Sequence, residues 1–373
     1  MSQPASPKDK TAAARAVSPA AAAAATASPA AASPAATGTG QTTEHAAIDV
    51  DAAFARRDED DSVYGDNESV TESTASLSSS IFNYRKVHGR TFQNYKDAEY
   101  WGPNDEKQND ALDLHHHMTL LLHHDKLHLA PLDNPQSVLD VGTGTGLWAI
   151  DFADQYPSAE VIGTDLSPIQ PAWTPPNCKF ELDDASLDWT YAENQFDFIH
   201  IRYLLGSIPD WPRLYQQAFR CLKPGGWIEH TDSDVRIYAD DGSLPADSIY
   251  RQWEQFFREA GAKTGRTFNV TENDQQADWA RAAGFDPATV TLKRHKLPFG
   301  AWPAEAHLKQ IGAYNLTATV EGLEGYGLFI GTQVLGWRLE ELQVLIAKMR
   351  SALLNPRYHA YNHGATLYAQ KPL

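Results

Sequence analysis

From Ser80 onward, apolar positions fall into short runs and helical stripes that alternate along the chain. Ser137–Val141 is a short apolar run that ends in glycines, residues 147–156 repeat apolar side chains at helical spacing, and Glu160–Asp165 is a second run of strand type. The alternation continues with strands over Cys178–Leu182 and 196–201, a helix over Trp211–Cys221 and, past the turn Lys223-Pro224-Gly225, a strand over 226–230. Such alternation predicts a doubly wound α/β fold on a mostly parallel sheet. Upstream, residues 104–130 have helical character as far as Pro131, whose ring cannot continue a helix. Downstream, the pattern changes to helices over 246–261 and 271–283, a strand over 288–296, a helical insert over 303–354 and a last strand over 365–370. A ligand-binding core over 135–235 under a helical C-terminal cover over 246–354 is the expected arrangement.

Before Ser80 the pattern lapses. Residues 1–43 are mostly Ala, Ser, Pro and Thr, with too few large apolar side chains to offset the entropy of ordering the backbone. Residues 44–80 turn acidic at Asp58-Glu59-Asp60-Asp61 and then Ser-rich. We read 1–80 as a disordered tail ahead of one folded domain, 81–373. The prolines among the N-terminal alanines argue against a secretory signal, and no apolar run nears the ~20 residues that cross a bilayer. No membrane association is expected, and the expected location is the cytoplasm, with the nucleus as the alternative. A net charge of −17 opposes a phosphate backbone, so no direct nucleic-acid contact is expected. Cys178 and Cys221 are too few for a disulfide framework or a thiolate metal site.

The candidate chemistry lies at the carboxyl end of the first run, where open parallel sheets bind ligands. There Asp140-Val141-Gly142-Thr143-Gly144-Thr145-Gly146 forms a glycine turn before a helix. Glycine tolerates positive φ and has no Cβ to obstruct a ligand, while a helix N-terminus directs N–H groups at an anion such as a carboxylate. The dinucleotide fingerprint wants Gly or Ala where this chain has Leu147. Asp165 ends the second strand, where a carboxylate can accept both hydroxyls of an adenosine ribose. Asp184 follows the third and is placed to accept from an adenine amino group. The alternative is that these glycines and acids only shape tight turns.

Three blocks resemble the signatures of class I S-adenosylmethionine-dependent methyltransferases: residues 138–146 as just described, Asp165-Leu166-Ser167-Pro168, and Leu222-Lys223-Pro224-Gly225-Gly226-Trp227. More narrowly, Tyr100-Trp101-Gly102-Pro103-Asn104-Asp105-Glu106, Leu127-His128-Leu129-Ala130-Pro131, Phe198-Ile199-His200-Ile201-Arg202-Tyr203 and residues 297–303 are similar to the fungal LaeA-like (TAM-domain) methyltransferases, from about Val87 to the end. The resemblance implies a seven-stranded Rossmann-like sheet and S-adenosylmethionine as methyl donor. The cofactor site it implies comprises Asp140, Gly142, Thr143, Gly144, Gly146, Asp165, Leu166, Asp184 and Ala185. Members of that family include biosynthetic enzymes and regulators. The expected acceptor is therefore a small secondary-metabolite-type molecule, and the alternative is a nuclear regulator acting through protein partners or protein methylation. Residues 95–101 differ from the block associated with the regulator, which counts against a velvet-type partnership.

Methyl transfer is an in-line displacement that alignment alone can drive, so a base is needed only for a protonated acceptor. His200 and Arg202 alternate at the end of the fourth strand and are the catalytic candidates; the alternative is that both only hydrogen-bond within the sheet. No metal is expected. Glu229, His230, Asp232 and Asp234 read as a solvated loop, and the histidines of 115–128 as edges of a packing stripe. Trp253, Phe256, Phe257, Trp302, Tyr314, Tyr326, Phe329 and Trp337 are candidates to line an apolar acceptor pocket beneath the cover.

Overall fold

A computed structural model describes residues 47–51, 84–94 and 100–373, so most of the stretch read as tail, and 95–99, lie outside the described residues. Two short strands, β1 (Arg85–Val87) and β2 (Arg90–Phe92), pair as a hairpin and lead to α1 (Glu106–Leu122). Then follow β3 (Ser137–Val141), α2 (Leu147–Gln155), β4 (Glu160–Asp165), β5 (Cys178–Leu182), β6 (Phe196–Arg202), α3 (Trp211–Cys221) and β7 (Leu222–Tyr238). The chain continues through α4 (Ile249–Thr264), α5 (Gln275–Ala283), β8 (Thr291–Pro298), α6 (Ala306–Phe329), α7 (Leu339–Leu353) and β9 (Tyr361–Gln370).

Seven strands form one sheet in the order β5-β4-β3-β6-β7-β9-β8. β3 through β7 pair in parallel, and β9 runs antiparallel between β7 and β8. Strand order reverses between β3 and β6, so the turn after β3 opens into the crevice that such a switch creates. This is the doubly wound, mostly parallel sheet that the sequence pattern predicted, with the seven-stranded, Rossmann-like form that the family resemblance implied.

Residue alternation sorts the central strands between two cores. Leu139, Val141, Ile199 and Ile201 face α3 and α5, whereas Val138, Val161 and Phe198 face Trp148, Phe152 and Ala153 of α2. Burial on both faces makes these strands nearly continuously apolar. A third core, including Trp253, Phe256, Phe257, Leu323, Leu342 and Met349, joins α4, α6 and α7. No helix among the described residues is long and apolar enough to cross a membrane.

Four sequence expectations need correction. The helix expected over 104–130 stops at Leu122, because tertiary bonds claim the backbone beyond it. Trp148 Nε1 donates to Leu127 O at 2.8 Å, and Leu129 and Ala130 N–H both donate to Glu229 Oε2 at 2.7 Å. The cover expected over 246–354 shrinks to α4, α6 and α7. The small residues Ala277 and Ala280 seat α5 beside α3, with Trp279 stacked on Trp211 at 5.3 Å, and β8 closes the sheet edge. The acids read as a solvated loop are buried instead, because β7 runs on through them to Tyr238. Lastly, residues 47–51, inside the stretch read as tail, lie along the loop before α6: Asp51 N donates to Trp302 O at 2.8 Å, Ala304 N to Asp49 O at 2.7 Å, and Lys309 pairs with Asp51.

Candidate active site

The glycine turn is built by left-handed backbone at Gly142, Gly144 and Gly146, with φ of 69°, 59° and 84°. Its shape is held by Thr143 N–H donating to Thr164 O at 2.8 Å and by the Thr143 hydroxyl donating to Asp140 Oδ2 at 2.6 Å. Asp165 closes it from β4: its Oδ2 accepts Gly144 N–H at 2.8 Å and its Oδ1 accepts Ser167 N–H at 2.9 Å. Burial nevertheless pushes the Asp165 carboxyl up to about 6, the hydrogen bonds offsetting only part of the desolvation. The Thr145 hydroxyl donates to Asp113 at 2.7 Å and so ties the turn to α1.

A cavity of about 120 Å³ opens over this turn. Gly142, Thr143, Gly144, Asp165, Leu166, Asp184 and Ala185, seven of the nine residues expected around a cofactor, line it together. A Cβ built on Gly144 meets only Leu112 Cδ1, at 3.6 Å, so the cavity approaches bare backbone there. At the far end Asp184 Oδ1 accepts the Ser186 N–H and hydroxyl at 2.9 and 2.6 Å. Asp140 and Gly146 stand behind the wall and do not line the cavity.

The two catalytic candidates separate. Arg202 lines the cavity, whereas His200 does not. The His200 ring lies flat on Trp148, 3.7 Å between centroids and 6° from parallel, and its Nδ1–H donates to Asp140 Oδ1 at 2.7 Å. Burial holds this imidazole down to about 4, so it is neutral at physiological pH. His200 alternates onto the α2 face of the sheet and is enclosed there; the expectation that it meets an acceptor is therefore corrected to a hydrogen bond inside the wall.

A second cavity, about 150 Å³ and mostly apolar, lies between the sheet and α1, α4 and α6. Of the eight aromatic residues proposed for an acceptor pocket, Trp253, Phe257 and Tyr326 line it. The other five do not; Phe256 and Trp302 are fully buried in packing. Trp101, Phe268 and Phe299 complete the aromatic wall, and Asp234, His115 and Asn315 are among its polar points. Asp234 Oδ1 accepts Thr271 N–H at 2.9 Å, and burial raises its carboxyl to about 6. His115 Nε2 is 3.0 Å from the Tyr326 hydroxyl, and burial, then Arg202, hold its imidazole down to about 4. Among the described residues, neither Lys nor Arg lines this cavity.

Tyr100, Leu112 and Tyr203 border both cavities. Tyr203 adopts φ of 54°, uncommon for a bulky residue, and its hydroxyl is 3.2 Å from that of Thr119 on α1. Tyr100 and Tyr203 stand in blocks that carry the family resemblance, but none of the three dividing residues was assigned a role from the sequence. Leu112 and His116 were legible only as part of a helical stripe, four residues apart on one face.

Residues 114–290 match a family model described as "Methyltransferase domain". The chain is 41% identical over 302 residues to methyltransferase pytC of Aspergillus terreus, covering 80% of this chain and 92% of that protein. It is 34% identical over 292 residues to protein-methionine methyltransferase laeA of Emericella nidulans, covering 78% and 77%. To secondary metabolism regulator laeA of Aspergillus flavus it is 32% identical over 311 residues, with 83% of each covered. A solved structure of phosphoethanolamine N-methyltransferase 2 from Haemonchus contortus, in complex with S-adenosyl-L-methionine, aligns with a TM-score of 0.40 at 20% identity, covering 71% of this chain and 53% of that one.

Proposed function

Since the chain belongs to the LaeA-like family of S-adenosylmethionine-dependent methyltransferases, we propose that it transfers the methyl group to a small, apolar acceptor held in the second cavity. The observation that carries this reading is the shared border: two cavities, one over a glycine turn and one with an aromatic wall, meet at Tyr100, Leu112 and Tyr203.

In this reading the first cavity holds the donor, which supplies an electrophilic methyl group on a sulfonium. Asp165 accepts from the ribose hydroxyls, and Gly142, Thr143 and Gly144 present backbone to the amino-acid portion. Leu166, Asp184 and Ala185 surround the adenine. Asp140 acts behind this surface: one oxygen holds Thr143 and the other holds His200, so the turn keeps its shape. The second cavity excludes water and aligns the acceptor, which supplies most of the acceleration for such a displacement. The absence of Lys and Arg from its described lining disfavours phosphate or carboxylate groups on the acceptor. For an acceptor that must lose a proton, Asp234 is the carboxylate at hand.

A second reading, methyl transfer to protein, draws on the relative named protein-methionine methyltransferase laeA. The two separate in one experiment: the full chain is incubated with methyl-labelled donor and a fungal extract, and label is counted in the organic-soluble and protein fractions. Label in a discrete organic-soluble product supports the small-molecule reading; label confined to protein overturns it.

A further inference from the structure

Arg202 is a half-buried cation at the end of β6 whose side chain lines the first cavity. Its Nη2 lies 3.0 Å from His116 Nδ1, and no ion pair joins it to any described carboxylate. A guanidinium has only N–H donors, so His116 Nδ1 must accept. The ring is then neutral, carries its proton on Nε2 and donates it to Asp151 Oδ2 at 2.9 Å. Desolvation lowers the His116 pKa, in keeping with that tautomer. Arg202 thus donates to His116 and His116 to Asp151, a one-way chain ending on a carboxylate that fixes one edge of the guanidinium.

The nearby acids do not complete it. Asp140 has both oxygens engaged, by His200 at 2.7 Å and Thr143 at 2.6 Å. Glu229 attracts Arg202 at longer range, but its Oε2 is held by Leu129 and Ala130 N–H, and its Oε1 has no hydrogen-bond partner. A guanidinium facing a cavity largely removed from bulk water gains most from an anion bound there, which supplies acceptors that water no longer can. A carboxylate matches the planar fork of a guanidinium with two charge-assisted bonds. The N-terminus of α2, read from the sequence as a carboxylate site, also reaches this cavity through Thr145 and Leu147, but it brings no full charge to a carboxylate as Arg202 does.

We propose that Arg202 receives the α-carboxylate of the donor, with His116 and Asp151 holding the guanidinium in place. This rests on the first cavity being the donor site. It assigns Arg202 to donor recognition, and the acceptor never touches it.

The test is calorimetry on the full chain with S-adenosylhomocysteine and with its decarboxylated analogue. The native chain should prefer the carboxylate-bearing ligand by about 10- to 100-fold, the range expected of a charge-assisted contact. Arg202→Met should abolish that preference by weakening only S-adenosylhomocysteine, and Arg202→Lys should keep part of it. Equal affinity of the native chain for both ligands would overturn the proposal while leaving the donor site standing, and needs no variant to fold. Equal weakening of both ligands in Arg202→Met would also overturn it, by showing a merely structural role. Failure of either ligand to bind the native chain would overturn the donor-site reading and this inference with it.

Discussion

Gly144 and Gly146 are two residues apart, both left-handed, and alanine at the two positions should give opposite outcomes. Either substitution carries the strain of a left-handed alanine, about 1–2 kcal/mol. The methyl group meets different surroundings. At position 146 its Cβ falls 2.4 Å from Phe180 Cζ, and that ring is also wedged against Gly163, where a Cβ would lie 2.7 Å away, so it has little room to yield. Overpacking of this kind adds about 1–3 kcal/mol. At position 144 the nearest atom is Leu112 Cδ1 at 3.6 Å, an ordinary contact, and the methyl projects toward the cavity. Gly146→Ala should therefore destabilise by roughly 2–5 kcal/mol and Gly144→Ala by only about 1–2 kcal/mol. The order of donor affinity should be the reverse, with Gly144→Ala weakened at least about tenfold by a methyl group in ligand space, and Gly146→Ala, where folded, changed far less. Urea unfolding gives the first quantity and calorimetry with S-adenosylhomocysteine the second. Native-like affinity in Gly144→Ala would refute the view that a ligand lies against that backbone.

Three further outcomes follow from the same geometry. His200→Ala should cost about 3 kcal/mol in urea unfolding, by stranding the buried Asp140 carboxylate and uncovering Trp148, with turnover by the folded fraction nearly unchanged. A hundredfold loss of turnover at native stability would instead restore His200 as a base. Because burial raises Asp165 to about 6, its protonated form takes over below that pH; donor affinity should be flat above about pH 7 and fall roughly tenfold per unit below about 6. A donor-binding profile that is level from pH 7 to 5 would contradict the ribose role. Phe257→Ala, in the wall of the second cavity only, should raise acceptor KM or broaden the acceptor range while donor affinity stays unchanged. Equal weakening of both substrates would speak against two separate cavities.

The central strands and the glycine turn were legible because their signals are local. β3, β4 and β5 end where their apolar runs end, and α3 is bounded by Asp210, whose side chain accepts Arg213 N–H at 3.0 Å, and by Leu222, which re-enters the sheet. What was not legible depends on partners distant in sequence. Nothing within 123–130 reveals that Glu229, about a hundred residues on, will take its backbone N–H groups and end the helical run. The polar side chains of Glu229, His230, Asp232 and Asp234 look solvated until their partners are known: Leu129 and Ala130, the Tyr215 hydroxyl at 2.9 Å, Leu204 N–H at 3.0 Å and Thr271 N–H at 2.9 Å. His200 and Arg202 share a face by alternation, yet only the fold shows Trp148 closing over one and a cavity opening before the other. Tyr100 and Leu112 reach the cavity border from segments well before the glycine turn, and no local pattern says that they meet it.

The cavity over the glycine turn is proposed to hold the methyl donor. Titration calorimetry of the full chain with S-adenosylmethionine and, separately, with NAD tests it most directly. Micromolar binding of S-adenosylmethionine, none of NAD, and loss of the former in Asp165→Ala are the expected results. Binding of NAD, or S-adenosylmethionine binding that survives Asp165→Ala undiminished, would contradict it.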